Sequence, residues 1–409
     1  MLRNRLRSAA LAAASLWLLS STAYADPIIL KFWDNQQTES GLSVFQHEAV
    51  KRFEAENPDI KVEVTTIPYP EYQQRLLTAV QAGNGPDVST VDQIWNSAFA
   101  KAGVIQDMAQ FAAKAGVKAD QFFPGAWDSA SFDGGLWGIP FNVDVWFFAF
   151  VNKALFAQAG VEPASIQTWQ GLEAAAGKLT DKAKGRFAIG LTGNKSEYPV
   201  VMTNSFIYSN GGAVLGPDGK CALTSPEAVE ALEFYKTMSN FAPAGILNAS
   251  NESMRELFLN GTLAIELWPA LEQPTLEKSN IDWDFVAGFA PEGKKAVGVF
   301  GGWNLVLYKS SPHQEAAWKF IQFMTRKDVN GAVVDLIPAN VVAAKTFLEK
   351  SRRHPDVILE HLNNAKPRPL SPRYLEVSEI QQNMVQKLLS GSPAAEAARE
   401  ACAAIDALH

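Results

Sequence analysis

Apolar and polar positions in the early part of the chain change period in a regular order. Residues 28–33 (Ile-Ile-Leu-Lys-Phe-Trp) read as a buried strand. Residues 44–53 then place apolar side chains at 44, 45, 49, 50 and 53, which is helical spacing, and Asn57-Pro58 stops that helix. Residues 60–64 alternate as a second strand, 72–80 are helical again, and 87–91 form a third strand after the Gly83-Asn84-Gly85-Pro86 breaker. Strand, helix, strand, helix, strand predicts a parallel sheet with right-handed crossovers. In such sheets ligands sit beyond the carboxyl ends of the strands. Asp34, Asn35, Gln36, Gln37 and Thr38 follow the first strand and Asp92 and Gln93 follow the third, so both groups fall at that edge.

A second α/β region runs from about 139 into the 280s. Ser225-Pro226 is a helix cap followed by Pro at the first helical position. Ser311 with Gln314 reads as a capping box for a helix over 315–324, whose Ala316, Ala317, Phe320, Ile321 and Met324 share one side. The segment 366–372 (Lys-Pro-Arg-Pro-Leu-Ser-Pro) must be extended, and the rest of the chain reads as mainly helical. There is no internal repeat.

The N-terminus carries a different pattern. Arg3, Arg5 and Arg7 precede an uncharged apolar run over 9–19, and Ala23-Tyr24-Ala25 offers small residues at both key positions of a cut. This is the pattern of a cleavable export signal over 1–25; a membrane span would need roughly 20 apolar residues. With no Cys near the cut, no lipid anchor is expected, and a periplasmic location follows. Removing the signal takes three Arg and no acid, moving the formal charge from −7 to −10. That balance argues against nucleic acid and anionic membranes as partners. The 384 residues left of 409 are too many for one small core and point to two lobes. Cys221 and Cys402 are the only cysteines, so zinc sites of four cysteines are excluded. The two either pair or stand as separate buried thiols. Five His without paired spacing predict no metal site, and no cofactor motif is present.

Four stretches in order resemble one family. They are Gly85-Pro86-Asp87-Val88 with Asp92 and Gly103-Val104-Ile105; Gly135-Leu136-Trp137-Gly138-Ile139-Pro140 leading to Asp144 and Val151-Asn152-Lys153; Phe258-Leu259-Asn260-Gly261 leading to Trp268; and Gly301-Gly302-Trp303. The chain resembles the sugar-type extracellular solute-binding proteins of ABC importers, the group that includes maltose, trehalose and glycerol-phosphate binders. The resemblance implies a two-lobed α/β periplasmic-binding-protein fold of type II, with 26–140 and 299–345 in one lobe and 141–298 and 346–409 in the other. It places chain crossings near 139–141, near 299–302 and near 345. It also implies a monomer that closes on a small carbohydrate-like ligand and presents the closed form to the membrane subunits of an ABC permease.

Sugars present apolar ring faces and hydroxyl rims, so a cleft for them needs flat aromatics and planar polar groups. Trp268, after an apolar strand and before Pro269, and Trp303, after two glycines, are the candidate stacking rings; the alternative for each is a core position. Gly302 is expected to let backbone approach the ligand. Trp33, Trp95, Trp146, Trp283 and Trp318 read mostly as packing, although Trp95 and Trp146 lie close to the candidate acids. Asp92 and Asp144 are the candidate acids, with Gln36, Gln37 and Thr38 beside them. Arg368 resembles the cleft arginine of a trehalose-binder pattern, with Arg373 as alternate; a buried Arg can grip a hydroxyl pair, a phosphate or a sulfonate. Asn204, Asn210 and Gly211-Gly212 form a lesser polar group. The competing class is a secreted carbohydrate hydrolase using Asp92 and Asp144. Against it stands the lack of any H-E-x-x-H, G-x-S-x-G or G-x-x-x-x-G-K motif, and a binder without catalysis is expected.

Overall fold

The computed structural model describes residues 26–35, 42–333 and 336–408. The expected export signal over 1–25 and the candidates Gln36, Gln37 and Thr38 lie outside these described residues.

The strands Ile28–Asp34, Ile60–Thr66 and Val88–Asp92 pair in parallel, the first lying between the other two. Leu30 and Phe32 point to the core because alternate side chains of a strand share a face. There Phe320 of the Gln314–Met324 helix meets Phe32 and Phe53 edge-on, each at 5.1 Å. This sheet grows to seven strands in the order Ile337–Pro338, Ile139–Val145, Val299–Leu307, Val88–Asp92, Ile28–Asp34, Ile60–Thr66, with Lys366–Pro367 also beside Val299–Leu307. The Val299–Leu307 strand runs antiparallel to both of its main neighbours. The capping box expected at Ser311 does not form. The helix starts at Gln314, and the Ser311 hydroxyl donates instead to Asp87, a buried carboxylate at the foot of the third strand.

A second sheet orders Trp283–Val286, Phe148–Asn152, Leu263–Trp268 and Phe187–Ile189. Around it pack the helices Trp169–Leu179, Glu197–Ser209, Pro226–Met238, Tyr374–Leu389 and Ala394–Asp406. Ser225 caps the third of these, its Oγ accepting from Ala228 N with Pro226 at the first helical position. Between the helices Trp169 stacks on Phe234 at 4.5 Å with a 4° interplanar angle. Cys221 and Cys402 form a disulfide, with Cα atoms 5.1 Å apart, so of the two readings of the cysteines the paired one holds. It ties a turn before the Pro226–Met238 helix to the last described helix.

The crossings between the sheets lie beyond where the resemblance puts two of them. Ile139–Val145 stays in the seven-stranded sheet throughout, so the first crossing is at Trp146-Phe147 rather than 139–141. Phe147 takes a φ of +85°, costly for a non-glycine residue, and is held there by full burial against Phe206 at 4.9 Å and Phe289 at 5.3 Å. The return passes alongside it: Trp146 N donates to Val299 O at 3.1 Å. A Cβ on Gly298 would sit 2.2 Å from Trp146 O, so only glycine fits there. The buried His361 Nε2 lies 3.2 Å from the same Trp146 oxygen, and since a carbonyl only accepts, Nε2 carries the proton. Burial lowers the His361 pKa to about 4, so the ring is neutral at pH 7. The third crossing comes after Lys366–Pro367, which still pairs with Val299 and Phe300, and not near 345. Arg368 is therefore the first residue of that crossing. Among the described residues no helix is long and apolar enough to cross a membrane.

Candidate functional site

The carboxyl end of the Val88–Asp92 strand, the crossing at Arg368 and the start of the Glu197–Ser209 helix converge on one cluster. Asp92 closes its strand and turns the chain. Its Oδ1 accepts from Ile94 N at 3.2 Å and from Arg368 Nη2 at 3.0 Å. The other nitrogen of that guanidinium, Nη1, lies 3.4 Å from Glu197 Oε1. Arg368 thus joins a carboxylate of the first lobe to one of the second while only 11% of its side chain is exposed. Glu197 also accepts from the Tyr374 hydroxyl and, at 2.5 Å, from Ser378 Oγ. Tyr374 and Ser378 stand four residues apart on one face of their helix, so both reach the same carboxylate.

Burial raises the Asp92 pKa above the usual carboxylate range, and the Arg368 charge and the Ile94 N–H pull against it. Burial, reinforced by the Glu197 charge, holds the Tyr374 phenol well above its usual range, so it stays a donor. Aromatic rings surround these groups. Trp303 lies opposite Asp92 in the strand register and meets Trp95 edge-on at 5.9 Å. Trp146 meets Tyr198 edge-on at 5.5 Å. Gly301 keeps the floor low between Trp146 and Arg368: a Cβ there would lie 3.7 Å from Trp146 Nε1 and 4.0 Å from Arg368 Nη2. The arrangement brings hydrogen-bond acceptors, a cationic donor and aromatic rings into one cluster, which suits a molecule with hydroxyls on its rim and C–H groups on its faces.

Of the candidates read from the sequence, the structure brings Asp92, Trp303 and Arg368 together. Three others have different work. Trp268 is fully buried: its Nε1 donates to Asn251 Oδ1 at 3.0 Å, Phe258 and Phe150 pack on it at 5.2 and 5.7 Å, and the Arg255 guanidinium lies 5.9 Å over its ring. No ring face is left for a ligand, and the core alternative holds. Asp144 accepts from Val145 N at 2.7 Å and Leu271 N at 3.0 Å, so it anchors the Ala270–Glu272 turn across the lobes instead of lining the cleft. Gly302, at φ +144°, is required by strand pairing, because a Cβ would sit 2.2 Å from Asn142 O.

Asn204 is buried within its helix. Asn210 donates to Glu230 and accepts from Lys294 Nζ, closing the end of that helix. Arg373 is half-exposed and pairs with Glu376 at 3.0 Å, so Arg368 is the arginine of the cluster. Sequence reasoning missed Glu197, Tyr374 and Ser378. An acid in a helix's first turn is ordinary compensation of the helix dipole, so Glu197 gave no signal. Tyr374 lies six residues beyond Arg368 in the sequence. Among the described residues no group of three or more His, Cys, Asp or Glu could hold a metal ion.

The model of the bacterial extracellular solute-binding protein family matches residues 35–331. The chain belongs to that family. Among its relatives is a putative binding protein of Brucella abortus, 25% identical over 422 residues that cover all of this chain and 99% of the relative. An sn-glycerol-3-phosphate-binding periplasmic protein of Shigella dysenteriae is 29% identical over 58% of this chain and 55% of its own. Among solved structures, an ABC transporter solute-binding protein from Thermotoga lettingae, bound with α-D-tagatose, is 29% identical with a TM-score of 0.76, covering 93% of this chain and 99% of that one. The family's members are binding proteins rather than enzymes, and the fold is their two-lobed α/β fold.

Proposed function

We propose that this chain captures a small carbohydrate or sugar derivative between its lobes and presents the closed form to the membrane subunits of an ABC importer. The observation that carries this reading is the Arg368 bridge, which joins Asp92 of one lobe to Glu197 of the other and so places polar recognition groups where the lobes meet. The tagatose held by the Thermotoga lettingae protein and the glycerol phosphate named for the Shigella dysenteriae one support a polyol-sized ligand. Asp92, Glu197 and Arg368 serve its hydroxyls and Trp303 its ring face; Gln36, Gln37 and Thr38 stay candidates from the sequence. The protein acts without catalysis, as an exported periplasmic monomer with no nucleic-acid partner. Its lobes are hinged at Trp146-Phe147, Gly298-Val299 and after Pro367.

A thermal-shift panel of the chain lacking 1–25 tests this reading. A solute at a hundred times its dissociation constant adds about 2.7 kcal/mol of stability. A clear shift with one neutral sugar or polyol, with no product formed on long incubation, is expected. No shift across mono- and disaccharides, polyols and their phosphates would defeat the reading, and product formation would turn it toward a hydrolase.

A further inference from the structure

The groups that meet at Glu197 are those that usually meet at a bound oxyanion. The Arg368 guanidinium, the Tyr374 hydroxyl and the Ser378 hydroxyl all donate to this one carboxylate. It sits in the first turn of the 13-residue Glu197–Ser209 helix, where unpaired backbone N–H groups favour negative charge. Ser196, which precedes that helix, supplies no side-chain cap. Arg368 is further matched by Asp92, so one guanidinium stands between two carboxylates. The lysines close in sequence to Arg368 and Glu197 are exposed: Lys366, with its Nζ 5.5 Å over the Tyr208 ring, and Lys195. The stretch 36–41 reads Gln-Gln-Thr-Glu-Ser-Gly and brings no cation.

We propose that Glu197 is a built-in anion that sets the ligand class: it fills an oxyanion site of the cleft, so the protein takes neutral sugars or polyols and refuses phosphorylated and sulfonated ones. An anionic ligand would have to share the donors with Glu197 or approach it as a like charge, and either cost falls on the anion alone. A neutral hydroxyl can instead donate to Glu197 or Asp92, gaining a charge-assisted bond.

This inference rests on the reading of the cleft as the ligand site, and its test separates the two. Melting temperatures are taken with inorganic phosphate, with sn-glycerol 3-phosphate and with a panel of neutral polyols, at ionic strength matched with chloride. The proteins are the wild type, Glu197→Gln, Glu197→Ser and the double variant Glu197→Ser/Arg368→Gln. The wild type is expected to show no specific shift with either phosphate. Glu197→Ser, which vacates the place, should bind both at least about tenfold more tightly than the wild type. Glu197→Gln, close in shape to the native residue, should gain less, and the double variant should lose the gain. A wild type that binds the phosphates as well as Glu197→Ser does would overturn the inference, and so would a Glu197→Ser protein that folds yet gains nothing. If no neutral polyol binds the wild type while Glu197→Ser gains phosphate, the sugar reading fails and the built-in anion stands.

Discussion

Two buried acids flank the Val299–Leu307 strand, Asp92 opposite Trp303 and Asp144 opposite Gly301. Both are nearly inaccessible, and both have carboxyls raised above their usual range mainly by burial. Their partners separate them. Asp144 is held by backbone N–H groups, which no ligand can move without rebuilding the Ala270–Glu272 turn. Asp92 is held partly by Arg368, a side chain on a crossing with another carboxylate at its far end. A bond to a side chain can be exchanged for a bond to a solute; a bond to a turn's backbone is part of the architecture. The same contrast runs through the tryptophans. Trp268 is locked by an indole hydrogen bond and by the rings of Phe150 and Phe258, whereas Trp303 stays partly exposed opposite Asp92. Burial and acidity alone therefore do not separate the two acids; exchangeable partners do.

The contrast can be broken at either end. The largest effect is expected at the locked end: Trp268→Ala should cost about 3–5 kcal/mol of stability through the cavity it leaves. It should leave the affinity of the folded protein unchanged. Urea unfolding alongside calorimetric titration reads both, and an affinity loss at normal stability would move this ring into the cleft.

Next comes Asp144, whose folded pKa of about 7 lies above the ordinary 3.8. The folded state therefore holds a proton that the unfolded state has released. Stability should fall as pH rises from about 4 to about 7, by up to about 1.4 kcal/mol per unit. Asp144→Asn cannot titrate and should lose that slope, so the two proteins' urea midpoints at pH 4.5 and 7.5 should diverge. Parallel pH profiles would show that Asp144 does not carry the effect.

The smallest change belongs to the exchangeable end. Asp92→Ala should weaken ligand binding of the folded protein by about 2 kcal/mol, roughly thirtyfold, and lower its melting temperature because Arg368 loses a buried partner. Unaltered affinity would remove Asp92 from the site.

Local rules made the first lobe's beginning legible. The two periods of the hydrophobic pattern predict three parallel strands, and the carboxyl-edge rule puts Asp92 at the strand end, where it meets Arg368. Arg368 came through resemblance, since nothing in its Pro-rich surroundings says which way it faces. What stayed hidden depended on partners far away in sequence. Asp144 is 127 residues from the Leu271 N–H that claims it. Trp268 looked like a loop-end ring until Phe150 and Phe258 closed over it. Glu197 is singled out only by Tyr374 and Ser378, 177 and 181 residues on, which turn their hydroxyls to it. The first crossing is expected at 139–141, where Pro140 stands, but the strand Ile139–Val145 keeps its pairing through that proline; the turn comes later, at the positive φ of Phe147.

The Cys221–Cys402 bond spans 181 residues and reaches into the last described helix. A chain emerging N-terminus first must therefore have delivered both sheets before this link can close. The covalent ring that results encloses the Val299–Leu307 strand and the crossings on either side of it. A protease cut at Leu370, an exposed point of the connection after Arg368, would not release the terminal helices that supply Tyr374 and Ser378. They would stay tethered to their lobe, and a nicked molecule would run as one piece until reduced.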